Sequence, residues 1–272
     1  PGEVLFRQAE FGKRYFREKF GKEVRIGYSV DAFGQNAGLP KILNATGFDR
    51  YVFMRPMAEE KTMPYLFRWR GDDGSEVLTL RIRLAYCTLP GWQKKQELFD
   101  WIDQLFAEGD EHQTFFFGVG DHGGGTSRGQ IEGALAWAAA HPEFEVRFST
   151  FRSFFTALEE EIASGRELPE FQGELNYCLR GCYSSVPRFK RLYRQAESAL
   201  LRAERTVETV TPPTHAPSPD LKPLWKMLFF NSFHDILPGS AIERALEQQS
   251  CQLCAVIDGA FEAETAALNR LP

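Results

Sequence analysis

The sequence predicts an α/β fold: a mostly parallel sheet flanked by helices, followed by a C-terminal three-helix bundle. Three observations lead there. Strand-like and helix-like segments alternate up to about residue 160, the pattern that builds a parallel sheet with crossover helices. Beyond "SGRELPEFQGEL" the apolar residues Phe189, Leu192, Ala196, Leu200, Ala203 and Val207 recur at helical spacing. A Pro-rich connection, "TPPTHAPSPDLKP", then separates this helix from the next.

The elements follow in chain order. Residues 3–20 carry Leu5, Ala9, Tyr15, Phe16 and Phe20 and predict an amphipathic helix. "EVRIGYSV" predicts a strand, "LPKILNATG" a short helix and "RYVFM" a second strand. "YLFRWRGDDGSEVLTLRIR" predicts a hairpin about an Asp73–Gly74 turn. "KQELFDWIDQLFAEG" predicts a helix ended by Gly109, and "HQTFFFGVG" a buried strand. "RGQIEGALAWAAAH" predicts a helix, "FEVRFST" a strand, and "STFRSFFTALEEEIASG" a capped helix. In the second part, "SVPRFKRLYRQAESALLRAERTVETV" predicts a long helix, and "LWKMLFF" a helix leading into "NSFHDILPGS". A capping box from Ser240 to Glu243 opens the last helix, which runs to about Leu271.

The bulk numbers exclude several classes. A chain of 272 residues with 43% hydrophobic residues can bury a sizeable core. A net charge of -5 with no basic tract argues against nucleic acid as a partner. No apolar run approaches the length of a membrane span. The opening residues are charged throughout, unlike a signal peptide, and read as if the chain were cut in mid-protein. The five cysteines lack framework spacing, which fits a reducing, cytoplasmic setting. Cys251 and Cys254 in "CQLC" sit within a helical pattern and are read as packing or surface residues rather than metal ligands.

In open α/β sheets, ligands bind beyond the carboxyl ends of the strands. That rule selects Asp31 after "RIGYSV", Arg55 after "RYVFM", and Asp121 with His122 after "TFFFGVG". The Gly-rich "GVGDHGGGT" fits GxGxxG, yet no acidic residue closes the next strand and no Lys follows the glycines. It is therefore read as a tight turn or a close backbone approach to a ligand rather than a nucleotide loop. His234 and Asp235 follow an apolar helix, where a His is ordinarily a helix-end residue. Asp31 and His234 are nonetheless good donors for a divalent metal such as zinc, although two donors do not close a site.

At these residues the chain resembles the glycoside hydrolase family 38 α-mannosidases. The resemblance rests on "GEVLFRQAEFGKRYFREKFG", "DAFGQNAGLPKILNATGFDRYVFMRP", "GVGDHGGGTSRGQI", "GELNYCLRGCYSS" with "KRLYRQAESALL", and "NSFHDILPGS". They occur in the family's order and cover nearly the whole chain. The resemblance implies that residues 1–165 are the second half of the α/β catalytic domain, a deacetylase-like barrel, and 166–272 the helical middle domain. It implies a retaining hydrolase of α-mannosides in which Asp31 is the nucleophile and a zinc ligand, and His234 is a second ligand. By the same resemblance Asp235 contacts a substrate hydroxyl, Phe33 lies beside the nucleophile and Arg55 braces it. Asp121 is the matching acid/base, with His122 a substrate contact or the alternative proton donor.

Three departures from the family stand out. The His-x-Asp segment that supplies the other zinc ligands is absent, and those ligands are expected upstream. Gln35 stands where the family motif has His, and the C-terminal β-domains are missing. The expected partners are α-mannoside oligosaccharides or glycosides, with neither nucleic acid nor a membrane, and a homo-oligomer of the full-length protein stays open. Two other readings remain at this point: a zinc-dependent carbohydrate deacetylase, and a non-catalytic carbohydrate-binding fragment.

Overall fold

The computed structural model describes residues 2–57, 59–83, 85–87, 100, 102–103, 113–116, 118, 124–210 and 219–271. The chain forms two compact units, one of residues 16–178 and one that joins residues up to 15 with those from 179 onward.

Among the described residues, the first unit is built on a five-stranded sheet. Its strands are β1 (Ile26–Ser29), β2 (Arg50–Phe53), β3 (Leu66–Arg70), β4 (Glu76–Arg81) and β5 (Glu170–Gln172), in spatial order β1-β2-β4-β3-β5. β1, β2 and β4 run parallel. β3 returns antiparallel to β4, and β5 lies parallel to β3. The sheet is thus mixed. The predicted hairpin is present, with its turn closed by a bond from the Gly71 amide to the Ser75 carbonyl, 2.9 Å. Gly74 supplies the positive φ of 82° that the turn needs.

Alternation along the strands sends one set of side chains to each face. Tyr51, Phe53, Phe67, Trp69 and Val77 share one core with Leu43 of α2 (Leu39–Ala45). Val52, Leu66, Leu78 and Leu80 share the other with Phe155 and Leu158 of α4 (Phe151–Ala163). Local chemistry starts the helices. Pro40 sits in the first turn of α2, where its missing N–H costs nothing. Ser127 and Gln130 form a reciprocal capping box on α3 (Arg128–Ala140), and Thr150 Oγ1 caps α4.

Several sequence expectations fail here. "FEVRFST" is not a strand: residues 145–150 join no ladder, and Val146 and Phe148 are exposed. Of the predicted strand "HQTFFFGVG", residues 113–116 join no ladder, and residues 112, 117, 119 and 120 lie outside the described residues. An apolar pattern makes a strand only where a neighbour offers backbone partners. Conversely, β5 arises in a stretch read as a connection, because β3 exposes an edge to it. The helix expected over "KQELFDWIDQLFAEG" lies mostly outside the described residues.

The second unit packs α5 (Pro187–Val210), α6 (Lys222–Phe230) and α7 (Glu243–Leu268) around Phe189, Tyr193, Leu200, Trp225, Leu228, Leu253 and Val256. Val4 of α1 (Gly2–Phe20) is buried in the same core, and Phe11 packs against it. Among the described residues, four helices rather than the expected three therefore surround this core. Arg7 explains part of the attachment: its guanidinium lies 4.3 Å from the centre of the Trp225 ring and donates to Glu204 at 2.8 Å. The Ser240–Glu243 capping box is not formed. α7 starts after Ile242, and the Ser240 hydroxyl turns back to the Asp235 carbonyl at 3.4 Å. Among the described residues no helix is long and apolar enough to cross a membrane.

Leu200 is fully buried where α5 meets this core. Leu200→Ala is expected to cost about 2–5 kcal/mol in chemical denaturation, whereas Leu5→Ala on the exposed face of α1 should stay within about 0.5 kcal/mol.

Candidate active site

The parallel register of β1 and β2 sets Ser29 opposite Phe53. Asp31 and Arg55 lie at the same offset beyond these two partners, so the chain leaves the sheet with both at one edge. They meet there: Arg55 Nε donates to Asp31 Oδ1 at 3.1 Å. The second carboxylate oxygen takes a bond from Tyr86 Oη at 3.4 Å. The Asp31 and Arg55 side chains are 24% and 29% exposed, so the pair is partly desolvated yet open to a ligand. Phe33 is half-buried in the same loop. Asp121 and His122 lie outside the described residues.

Tyr86 was not among the sequence candidates, although the rule that selected Asp31 and Arg55 also points to it. It follows β4, the third of the parallel strands, and so leaves the sheet at the same edge. The sequence pattern marks β4 as one arm of a hairpin and carries no sign of its parallel pairing with β2.

The loop after β1 is held from below. Gln35 is buried and exchanges backbone hydrogen bonds with Leu175, at 3.1 and 2.9 Å. Its side-chain Oε1 accepts from the buried Tyr51 hydroxyl at 2.7 Å. Gln35 is thus a packing and bonding residue in this structure. Gly34 beside it has φ 123°, and a Cβ there would sit 2.7 Å from Asn176 Oδ1 and 2.8 Å from its Cα. The loop after β2 is held by Arg81, whose buried guanidinium donates to the carbonyls of Lys61 at 2.9 Å and Met63 at 3.2 Å. The fully buried Cys178 thiol donates to Glu60 Oε2 at 2.8 Å. Burial first, then that carboxylate, pushes the thiol up to about 12.

His234 and Asp235 belong to the helical unit, in the turn beyond the last residue of α6. His234 Nε2 lies 3.6 Å from Asp235 Oδ2, and the imidazole packs on the Phe233 ring with 4.2 Å between centres. The turn is tied at each end. Asn231 is fully buried and donates to the Met227 carbonyl and to Gln252 Oε1. Tyr193 Oη and Ser232 Oγ are 2.7 Å apart. Lys190 of α5 donates to the Pro238 carbonyl at 3.0 Å and to the Ser185 carbonyl.

Residues 1–174 match the family model for the N-terminal domain of glycosyl hydrolases family 38, and residues 178–271 that for the alpha mannosidase middle domain. The chain belongs to glycosyl hydrolase family 38. It is 28% identical over 258 residues to alpha-mannosidase 2C1 of Homo sapiens, covering 92% of this chain and 24% of that protein. It is 31% identical over 252 residues to alpha-mannosidase G of Dictyostelium discoideum, covering 90% of this chain and 23% of that one. The crystal structure of an alpha-mannosidase from Enterococcus faecalis V583 superposes with a TM-score of 0.80 at 23% identity, over 100% of this chain and 32% of that one. That likeness speaks for the fold. The chain spans about a quarter of the length of the curated relatives it matches.

Carboxylate and imidazole suit zinc, but among the described residues no three His, Cys, Asp or Glu side chains cluster to hold an ion. Asp31 also has one oxygen engaged by Arg55. The described residues do not make a metal site by themselves. Cys251 and Cys254 are exposed on α7, in keeping with a surface role.

Two outcomes follow. Gly34→Ala combines a positive φ with a backbone collision and is expected to cost about 2–4 kcal/mol in thermal unfolding, against about 1 kcal/mol for Gly21→Ala, which meets nothing. The second concerns alkaline pH. The folded state holds the Cys178 proton more tightly than the unfolded chain does, so this contribution is whole below 9.0 and is lost as pH rises towards about 12. Melting temperature should therefore fall above pH 9.0, and less steeply in Cys178→Ser.

Proposed function

We propose that this chain is part of a retaining glycoside hydrolase that cleaves α-mannosides, with Asp31 as the nucleophile. The observation that carries the reading is the Asp31 carboxylate at the carboxyl edge of a parallel sheet, oriented by Arg55, in a chain of family 38. The alpha-mannosidase names of its relatives support the substrate class. In this reading residues 1–165 are the second half of the catalytic domain and 166–272 the helical middle domain.

The chemistry needs a carboxylate that attacks and a second group that donates and later accepts a proton. Asp31 attacks the anomeric carbon, and the bond to the leaving oxygen breaks as that oxygen takes a proton from Asp121. Water then attacks the glycosyl ester, its proton passing to Asp121, and Asp31 is released. Arg55 fixes the carboxylate oxygen that does not attack, which holds the other in line. Phe33 offers an apolar surface beside the sugar, and Asp235 a hydrogen-bond acceptor for a sugar hydroxyl. Zinc enters this reading through the resemblance, with Asp31 and His234 each offering one donor atom; its chemistry is that of a Lewis acid toward sugar hydroxyls. A cytoplasmic setting is part of the proposal and rests on the absence of framework spacing among the five cysteines.

Trapping with a fluorinated mannosyl donor tests it in the full-length protein: mass spectrometry should find the adduct on Asp31. Asp31→Asn should lower kcat/KM on the order of a thousandfold or more for every substrate. Asp121→Asn should slow substrates with poor leaving groups far more than activated aryl mannosides, which need little protonation. If Asp121→Asn changes neither while His122→Ala slows the poor leaving groups, His122 is the proton donor. Release of acetate without an adduct would make the protein a deacetylase, and binding without turnover a carbohydrate-binding module.

A further inference from the structure

β1 and β2 end their ladder at Ser29 and Phe53, short of Asp31 and Arg55. The sheet aims the two loops but does not hold the residues that form the pair. The segment after β5 bonds to both loops. Glu174 Oε2 accepts from Asn36 Nδ2 at 3.1 Å and from the Ala37 amide at 3.3 Å. Leu175 adds its two backbone bonds to Gln35. These contacts grip the loop that carries Asp31.

The far end of the same segment grips the other loop. Cys178 donates its S–H to Glu60 Oε2, and that oxygen also accepts from the Met57 amide at 2.8 Å. Met57 is two residues from Arg55. Next to this bond, Lys61 Nζ lies 4.5 Å from the centre of the Tyr177 ring and donates to its hydroxyl at 3.4 Å. The segment 174–178 therefore spans from the Asp31 loop to the Arg55 loop.

We propose that Glu174, Cys178 and Glu60 are positioning residues: the segment 174–178 sets the separation of the two loops and so makes the Asp31–Arg55 pair. Its catalytic consequence rests on the reading of Asp31 as nucleophile. The positioning itself does not. The Cys178 side chain acts as a hydrogen-bond donor here, and a fully buried thiol bonded to a carboxylate is a poor nucleophile. A serine keeps that donor, whereas alanine leaves Glu60 without it.

Hydrogen–deuterium exchange in the full-length protein tests this without relying on activity. Glu174→Ala should speed exchange about tenfold in residues 31–38, and Cys178→Ala about tenfold in residues 55–63, with the hairpin 66–81 unchanged. Cys178→Ser should return exchange in 55–63 to within about twofold of the wild type. With an aryl α-mannoside, kcat should fall about tenfold in both alanine variants, KM should move less than about twofold, and Cys178→Ser should recover kcat. The proposal is overturned if both alanine variants exchange like the wild type in these loops, if the hairpin speeds up equally, or if Cys178→Ser behaves as Cys178→Ala. A wild-type protein that cleaves no α-mannoside would sink the functional reading alone, and exchange would still decide the positioning.

Discussion

Ser29 opposite Phe53 is the pairing on which the candidate site depends. A strand advances about 3.3 Å per residue and turns its side chains over at each step, so a slip of one residue would carry Asp31 away from Arg55 and reverse both faces of the strand. The sheet resists that slip because both its faces are buried. Tyr51, Phe53 and Trp69 pack with ring centres 5.8 to 6.1 Å apart on one face, while Val52 meets α4's core on the other. Moving β2 by one position would put Val52 among the aromatic rings and force Tyr51 and Phe53 into the place that the smaller Val52 fills against α4. The apolar packing thus specifies the register, and the register delivers the polar pair.

The polar residues near the site follow the same division of labour. Arg81 belongs to β4 and is buried on the aromatic side, with the Tyr65 ring 4.5 Å from its guanidinium carbon. A buried guanidinium is costly unless its donors are used, and two of them are spent on the loop that begins at Arg55. In the helical unit the same role falls to Lys190, Tyr193 and Asn231, which tie the turn holding His234 to α5, α6 and α7. Gly239 completes that turn with φ 83°, where a Cβ would lie 2.9 Å from Ser185 Oγ. The "NSFHDILPGS" motif is therefore as much about shaping a turn as about presenting an imidazole.

The hydrophobic patterns, and with them most elements, were legible in the sequence. α1, α2, α3, α4 and the three later helices, the hairpin, and strands β1 and β2 all lie where spacing and turn residues placed them. The placing of Asp31 and Arg55 at one edge was legible too, because the carboxyl-edge rule needs only that two strands be parallel neighbours. Periodicity, capping residues and Gly turns act within a few residues of chain, and such information is local. It could even be misled locally: Ser240 and Glu243 have capping-box spacing, yet the hydroxyl found a better partner in Asp235.

What the tertiary structure alone decided was partnership between distant segments. It left residues 145–150 outside any ladder, gave β5 a place in one, drew α1 onto the helical core and brought Tyr86 to Asp31. It also made Gln35, Glu60 and Cys178 ties between distant stretches of chain. None of these has a local signature, because a hydrogen bond between residues from 16 to over a hundred positions apart depends on where the sheet and helices place both ends. The sequence determined which segments were apolar, where they bend and which side chains carry chemistry; only packing determined which of them meet.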